Sequence, residues 1–155
     1  MRDDLIKQAK LKAANFCVYR ERTQQEVRDK LYKLGLYKNE VEELISDLIS
    51  ENFINEERFA IAFTSGKFRM KKWGRIKIIN ELKRRGLTEY CIKKGLGEID
   101  DQTYETTARA LADKKFEILN DTDKLKKKFK VMRYLSGKGY ENILVQKIAD
   151  ELYKF

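Results

Sequence analysis

Three stretches of the chain repeat one arrangement of apolar positions around a glycine: EVRDKLYKLGL ending at Leu36, KIINELKRRGL ending at Leu87, and KVMRYLSGKGY ending at Tyr140. In each, an aliphatic residue stands eight before the glycine (Val27, Ile78, Val131) and a leucine four before it (Leu31, Leu82, Leu135). Apolar positions resume six and thirteen after it, at Val41 and Leu48, Ile92 and Ile99, Val145 and Leu152. Gly35, Gly86 and Gly139 lie 51 and then 53 residues apart, which marks a tandem repeat. A stripe at helical spacing on either side of a glycine reads as a helix, a left-handed stop and a second helix.

Start signals agree. Thr23 with Glu26 spells a capping box, and Asn39 with Glu42, and Thr88 before EYCI, offer further caps. Upstream of each pair lies another helical segment. One surrounds Phe16 to Val18, one runs from Glu56 to Met70 with Phe59, Phe63, Gly66 and Met70 on one face, and one runs from Tyr104 to Leu119. The pattern predicts an all-α fold of three tandem three-helix repeats over residues 1–54, 55–99 and 100–155. Such units stack end to end, so an elongated, curved array is expected, with joints around Asn52 to Asn55 and Gly97 to Asp101.

Composition supports this. The 155 residues include no proline and are 42% hydrophobic and 38% charged, as suits a helical, water-soluble protein. The longest apolar run, Phe59 to Phe63, falls far short of the ~20 residues that span a bilayer. The charged amino terminus lacks the apolar centre of a secretory signal. A cytoplasmic protein with no membrane partner is expected. Cys17 and Cys91 are isolated in a chain without histidine, so no metal or other cofactor is expected, and both thiols read as small core residues. There is no phosphate-binding GxxxxGK[ST] loop, no GxSxG elbow and no carboxylate cluster among catalytic partners, so the chain does not read as an enzyme.

Charge changes the picture more. The net charge is +9, and its distribution is uneven. Residues 1–57 carry ten basic and twelve acidic side chains, residues 58–99 twelve and three, and residues 100–155 twelve and ten. Nine cations lie between Lys67 and Leu87 with a single acid, Glu81: Lys67, Arg69, Lys71, Lys72, Arg75, Lys77, Lys83, Arg84 and Arg85. On a helix from Arg75 to Arg85, Ile76, Ile78, Ile79 and Leu82 share the core side; Lys77 and Arg84 lie opposite, with Lys83 and Arg85 at the flanks. A cluster with so little compensation suggests nucleic-acid phosphates or an acidic protein surface as its partner. Lys124, Lys126, Lys127, Lys128 and Lys130 are secondary binding candidates, beside Asp121 and Asp123. Phe68 lies half a turn out of phase with Phe59. It and Trp73 therefore either pack on a neighbouring repeat, the favoured reading, or stack on a base.

In INEERFAIAF, the basic stretch after it and GRIKIINELKRRGL, from Ile54 to Leu87, the chain resembles the RecX regulatory proteins. The resemblance extends upstream through YRERTQQEVRDKLYKLG and downstream through GYENILVQKIADEL. Arg75 stands where that family often has proline and Glu56 where it often has aspartate; both suit a helix start. The resemblance implies three tandem three-helix units in an extended arrangement. It also implies a regulator rather than a catalyst, one that binds RecA recombinase filaments on single-stranded DNA, blocks their growth and lowers ATP hydrolysis and strand exchange. Such a protein would be a monomer that meets DNA directly or through the filament. The residues alone also fit a freestanding DNA-binding module of helix-turn-helix type, or a repeat scaffold for some other acidic protein.

Overall fold

The computed structural model describes residues 1–154. Among them the chain is all helical: α1 (Arg2–Tyr19), α2 (Gln24–Lys33), α3 (Lys38–Ser50), α4 (Glu56–Gly66), α5 (Arg75–Arg84), α6 (Glu89–Leu96), α7 (Asp101–Ile118), α8 (Lys124–Lys138) and α9 (Asn142–Leu152). A π-helical turn, Lys67–Lys71, continues α4. The three repeat glycines sit at φ 93°, 85° and 100°, the left-handed region in which a residue without Cβ closes a helix at least cost. The aliphatic and leucine positions before them, Val27, Leu31, Ile78, Leu82, Val131 and Leu135, are all fully buried.

By packing, the chain forms two compact units, residues 1–62 with 83–95 and residues 63–82 with 96–155, so α4 and α5 each contribute to both. In the first unit α1 turns Ala9, Ala13 and Cys17 inward at four-residue spacing, and these small side chains join Val27, Leu31, Val41, Leu44, Ile45 and Leu48 in one core. Burying each of the larger aliphatics stabilises the fold by about 1.5–3 kcal/mol. The Thr23–Glu26 capping box forms at the start of α2. Asn39 does not cap α3: it lies inside the helix, and Tyr37 is the capping residue, its N–H donating to Glu40 at 2.8 Å. Cys17 is buried, but Cys91 is only half-buried, because it lies next to Ile92 and just off the inward stripe.

The second unit is built on aromatic rings. Phe68, Tyr104 and Tyr140 pack in series, with centroids 5.8 and 5.0 Å apart. Phe68 thus packs on the third repeat, the favoured alternative. Met70, expected on the face of Phe59, is 79% exposed. The wide π turn uses one residue more than an α turn, so the phase slips before Met70 is reached. At the far end Leu152 is 39% exposed, and Tyr153 takes the inward place, stacked on Phe116 at 4.5 Å. The helix ends at Leu152, and the backbone at Tyr153 (φ −121°, ψ 63°) has left helical geometry, which redirects the next side chain.

Candidate nucleic-acid interface

The basic segment enters the second unit on an irregular backbone. Lys72 closes the π turn in the left-handed region (φ 59°), its N–H donating to the Lys67 and Phe68 carbonyls. A side chain at such a φ costs roughly 1 kcal/mol or more, and several bonds from the third repeat hold it there. Gly74 N–H donates to the Lys138 carbonyl at 2.7 Å and Ile76 N–H to the Gly139 carbonyl at 2.9 Å. The Tyr140 hydroxyl donates to the Lys72 carbonyl at 2.8 Å, and Lys138 Nζ to the Lys71 carbonyl at 2.7 Å. The end of α8 therefore pins the loop that carries Lys71 and Lys72.

Around this loop the cations lack acids. Among the described residues no carboxylate lies within ion-pair distance of Lys67, Arg69, Lys71, Lys72, Lys77 or Lys138. Trp73, half-buried and edge-on to Phe63 at 6.3 Å, has Lys67 Nζ 5.0 Å and Lys77 Nζ 4.7 Å from its ring centre. Lys138 is held below the usual lysine range, by burial first and then by the charges of Lys77 and Lys71. Sequence reasoning missed Lys138. Its position carried a signal, since it precedes Gly139 as Arg85 precedes Gly86.

Other predicted residues fall elsewhere. Arg75 is not a free cation: its guanidinium pairs with Asp101 at 2.6 Å and Glu141 at 3.3 Å and lies 3.9 Å from the Tyr104 ring centre. Its backbone N–H donates to the Tyr104 hydroxyl at 2.8 Å, which a proline could not do, and that hydroxyl donates in turn to Glu141. Ile76, expected in the core, is 43% exposed at the first turn of α5. Lys83, Arg84 and Arg85 belong to the first compact unit. There Arg84 and Arg85 line an open groove with Gln24, Gln25, Arg28 and Glu56, and Arg85 comes within 3.9 Å of Glu26. Glu56 accepts the Gln24 N–H at 3.1 Å. The nine cations are thus two sets, six in one unit and three in the other.

The second basic run is largely compensated. Lys130 pairs with Asp121 at 2.8 Å and Lys128 with Asp150 at 3.3 Å, while Lys127 lies over the Phe116 ring at 4.1 Å. Asp123 caps α8, accepting from the Leu125 N–H at 2.9 Å, and offsets the unfavourable meeting of lysines with a helix amino terminus. Lys124 and Lys126 are exposed. Among the described residues no group of three His, Cys, Asp or Glu side chains could hold a metal ion, and no helix is long and apolar enough to cross a membrane.

The chain matches the models of the first, second and third three-helix domains of RecX, over residues 9–48, 55–96 and 102–148. It is 33% identical to the regulatory protein RecX of Clostridium perfringens over 85% of this chain, and spans 64% of that relative's length. It is 30% identical to the regulatory protein RecX of Clostridium acetobutylicum, covering 94% of this chain and 69% of the relative. The crystal structure of RecX from Lactobacillus salivarius superposes with a TM-score of 0.87 at 25% identity, covering 97% of each chain.

Proposed function

Because this chain belongs to the RecX family, we propose that it regulates a RecA recombinase. It docks on RecA filaments assembled on single-stranded DNA and inhibits filament extension, ATP hydrolysis and strand exchange, modulating recombination and repair. The observation that supports this reading is the set of cations on and beside the pinned loop, Lys67, Arg69, Lys71, Lys72 and Lys77, which have no carboxylate partner among the described residues. An uncompensated cluster of this kind attracts phosphate or an acidic protein surface.

The action needs no catalysis. A protein seated across neighbouring subunits blocks the next arrival by occupancy and couples subunits that must move to turn over ATP. It works as a monomer in the cytoplasm, without a cofactor. Reversing Lys71, Lys72 and Arg84 to Glu is expected to leave helicity unchanged and to abolish inhibition of DNA-dependent ATPase by the recombinase. Full inhibition by that variant would refute this placement.

A further inference from the structure

Lys138 ends α8, where the helix dipole favours a cation, yet its ammonium is half-buried and fixed on the Lys71 carbonyl at 2.7 Å. Lys71 and Lys77 stand close enough for their charges to act on it. The Lys138 ammonium meets the Lys71 main chain, and Gly139 packs against the Lys77 side chain, so three lysines come together with no carboxylate in reach among the described residues. Their charges repel one another, and an anion relieves that repulsion. Their backbones are not free to spread apart. The Gly74 N–H bond to Lys138 and the Ile76 N–H bond to Gly139 hold the loop, the start of α5 and the end of α8 together.

Beside the ammonium groups lies Trp73, with Lys77 over its ring at 4.7 Å. Cations next to an aromatic face match both parts of a nucleotide, phosphate to ammonium and base to ring, whereas an acidic peptide would use the cations alone.

Resting on the strand-binding reading above, we infer that Lys71, Lys77 and Lys138 seat one phosphodiester of a single strand, with the adjacent base lying on Trp73 in place of a lysine ammonium. The third repeat then supplies a residue of the interface through Lys138. The second repeat's lysines are shaped for phosphate only while the Gly74–Gly139 junction is closed.

The test is equilibrium binding of a labelled oligothymidylate to the full chain across a salt series, followed by anisotropy and by emission of Trp73, the sole tryptophan. Each phosphate contact on a single strand contributes about 0.7 to the logarithmic salt slope. Lys138→Gln is expected to weaken binding about threefold or more at low salt and to lower the slope by about 0.7. Lys138→Arg should keep both, and Lys12→Gln, at an exposed position of α1, should change neither. If circular dichroism shows Lys138→Gln to be misfolded, Lys77→Gln carries the same expectation. Wild-type affinity and slope in the glutamine variant, or displacement of the strand by polyglutamate as effectively as by unlabelled oligothymidylate, would overturn the seat. Recombinase ATPase assays on the same proteins separate the two readings. Inhibition by wild type together with unaltered strand binding by Lys138→Gln overturns the seat alone, whereas a wild type that neither binds nor inhibits overturns both.

Discussion

Gly74 and Gly139 meet backbone to backbone. A Cβ on Gly74 would lie 2.3 Å from the Gly139 carbonyl carbon, and one on Gly139 would lie 2.4 Å from the Lys77 Cβ. No side chain fits at either point, and the closeness of the two chains is what permits the 2.7 Å bond from Gly74 N–H to the Lys138 carbonyl. The basic loop keeps its form because this contact exists.

Alanine at this contact is therefore expected to be costly. Gly74→Ala must push apart main-chain atoms, and Gly139→Ala must also hold a Cβ at φ 100°. Each should lose about 3 kcal/mol of unfolding free energy in urea titration. Gly66→Ala, helical and with nothing within 4 Å of the added Cβ, should be neutral or stabilising by up to about 1 kcal/mol. Equal effects at all three sites would show that the junction is not tightly packed.

Arg75 and the lysines should separate by assay. Arg75 is tied to Asp101 and Glu141, so Arg75→Gln is expected to lower the urea midpoint while leaving the salt slope of strand binding unchanged. Tyr104→Phe removes the hydroxyl that takes the Arg75 N–H and serves Glu141, and should cost about 1–3 kcal/mol through the groups left unpaired. A fall in slope of about 0.7 for Arg75→Gln would place that guanidinium on phosphate instead.

Alkaline pH should unfold the second unit's aromatic core. Burial, followed by the bond to Glu141, pushes the Tyr104 hydroxyl far above the ordinary tyrosine range; burial chiefly does the same to Tyr140, and Tyr153 is pushed up to about 12 by burial and then Asp113. The folded chain holds these protons more tightly than the unfolded one, whose tyrosines ionise near about pH 10. Their stabilisation is complete below that pH and is lost as pH climbs through the folded values. Urea midpoints should fall steadily above about pH 10, and tyrosinate absorbance from these three of the eight tyrosines should appear only with loss of helicity. Their ionisation in the still-folded protein would contradict their burial.

The first repeat offers a local test. Thr23→Ala removes the acceptor of the Glu26 N–H at 3.1 Å and opens the capping box of α2. A loss of about 1 kcal/mol is expected in thermal or urea unfolding, and an unchanged midpoint would mean that packing of Val27 and Leu31 alone sets the helix start.

What the chain determines by itself is whatever depends on neighbours a few residues away. Helix, glycine stop and restart were legible from Val27, Leu31 and Gly35 and their counterparts, because helical period and the left-handed stop are local properties of the backbone. So was the concentration of positive charge between Lys67 and Arg85. Local signals misled where the backbone left the α period, as at Met70 after the π turn and at Leu152, where the last helix ends before its stripe is complete. Tertiary structure alone decided which cations are spoken for. Arg75 found Asp101 and Glu141, 26 and 66 residues away, and Lys138 arrived beside Lys71 from 67 residues away. Charge compensation acts through space, so adjacency in sequence could show neither the carboxylates that pair with Arg75 nor the approach of Lys138 to Lys71, and only the fold brings these groups together.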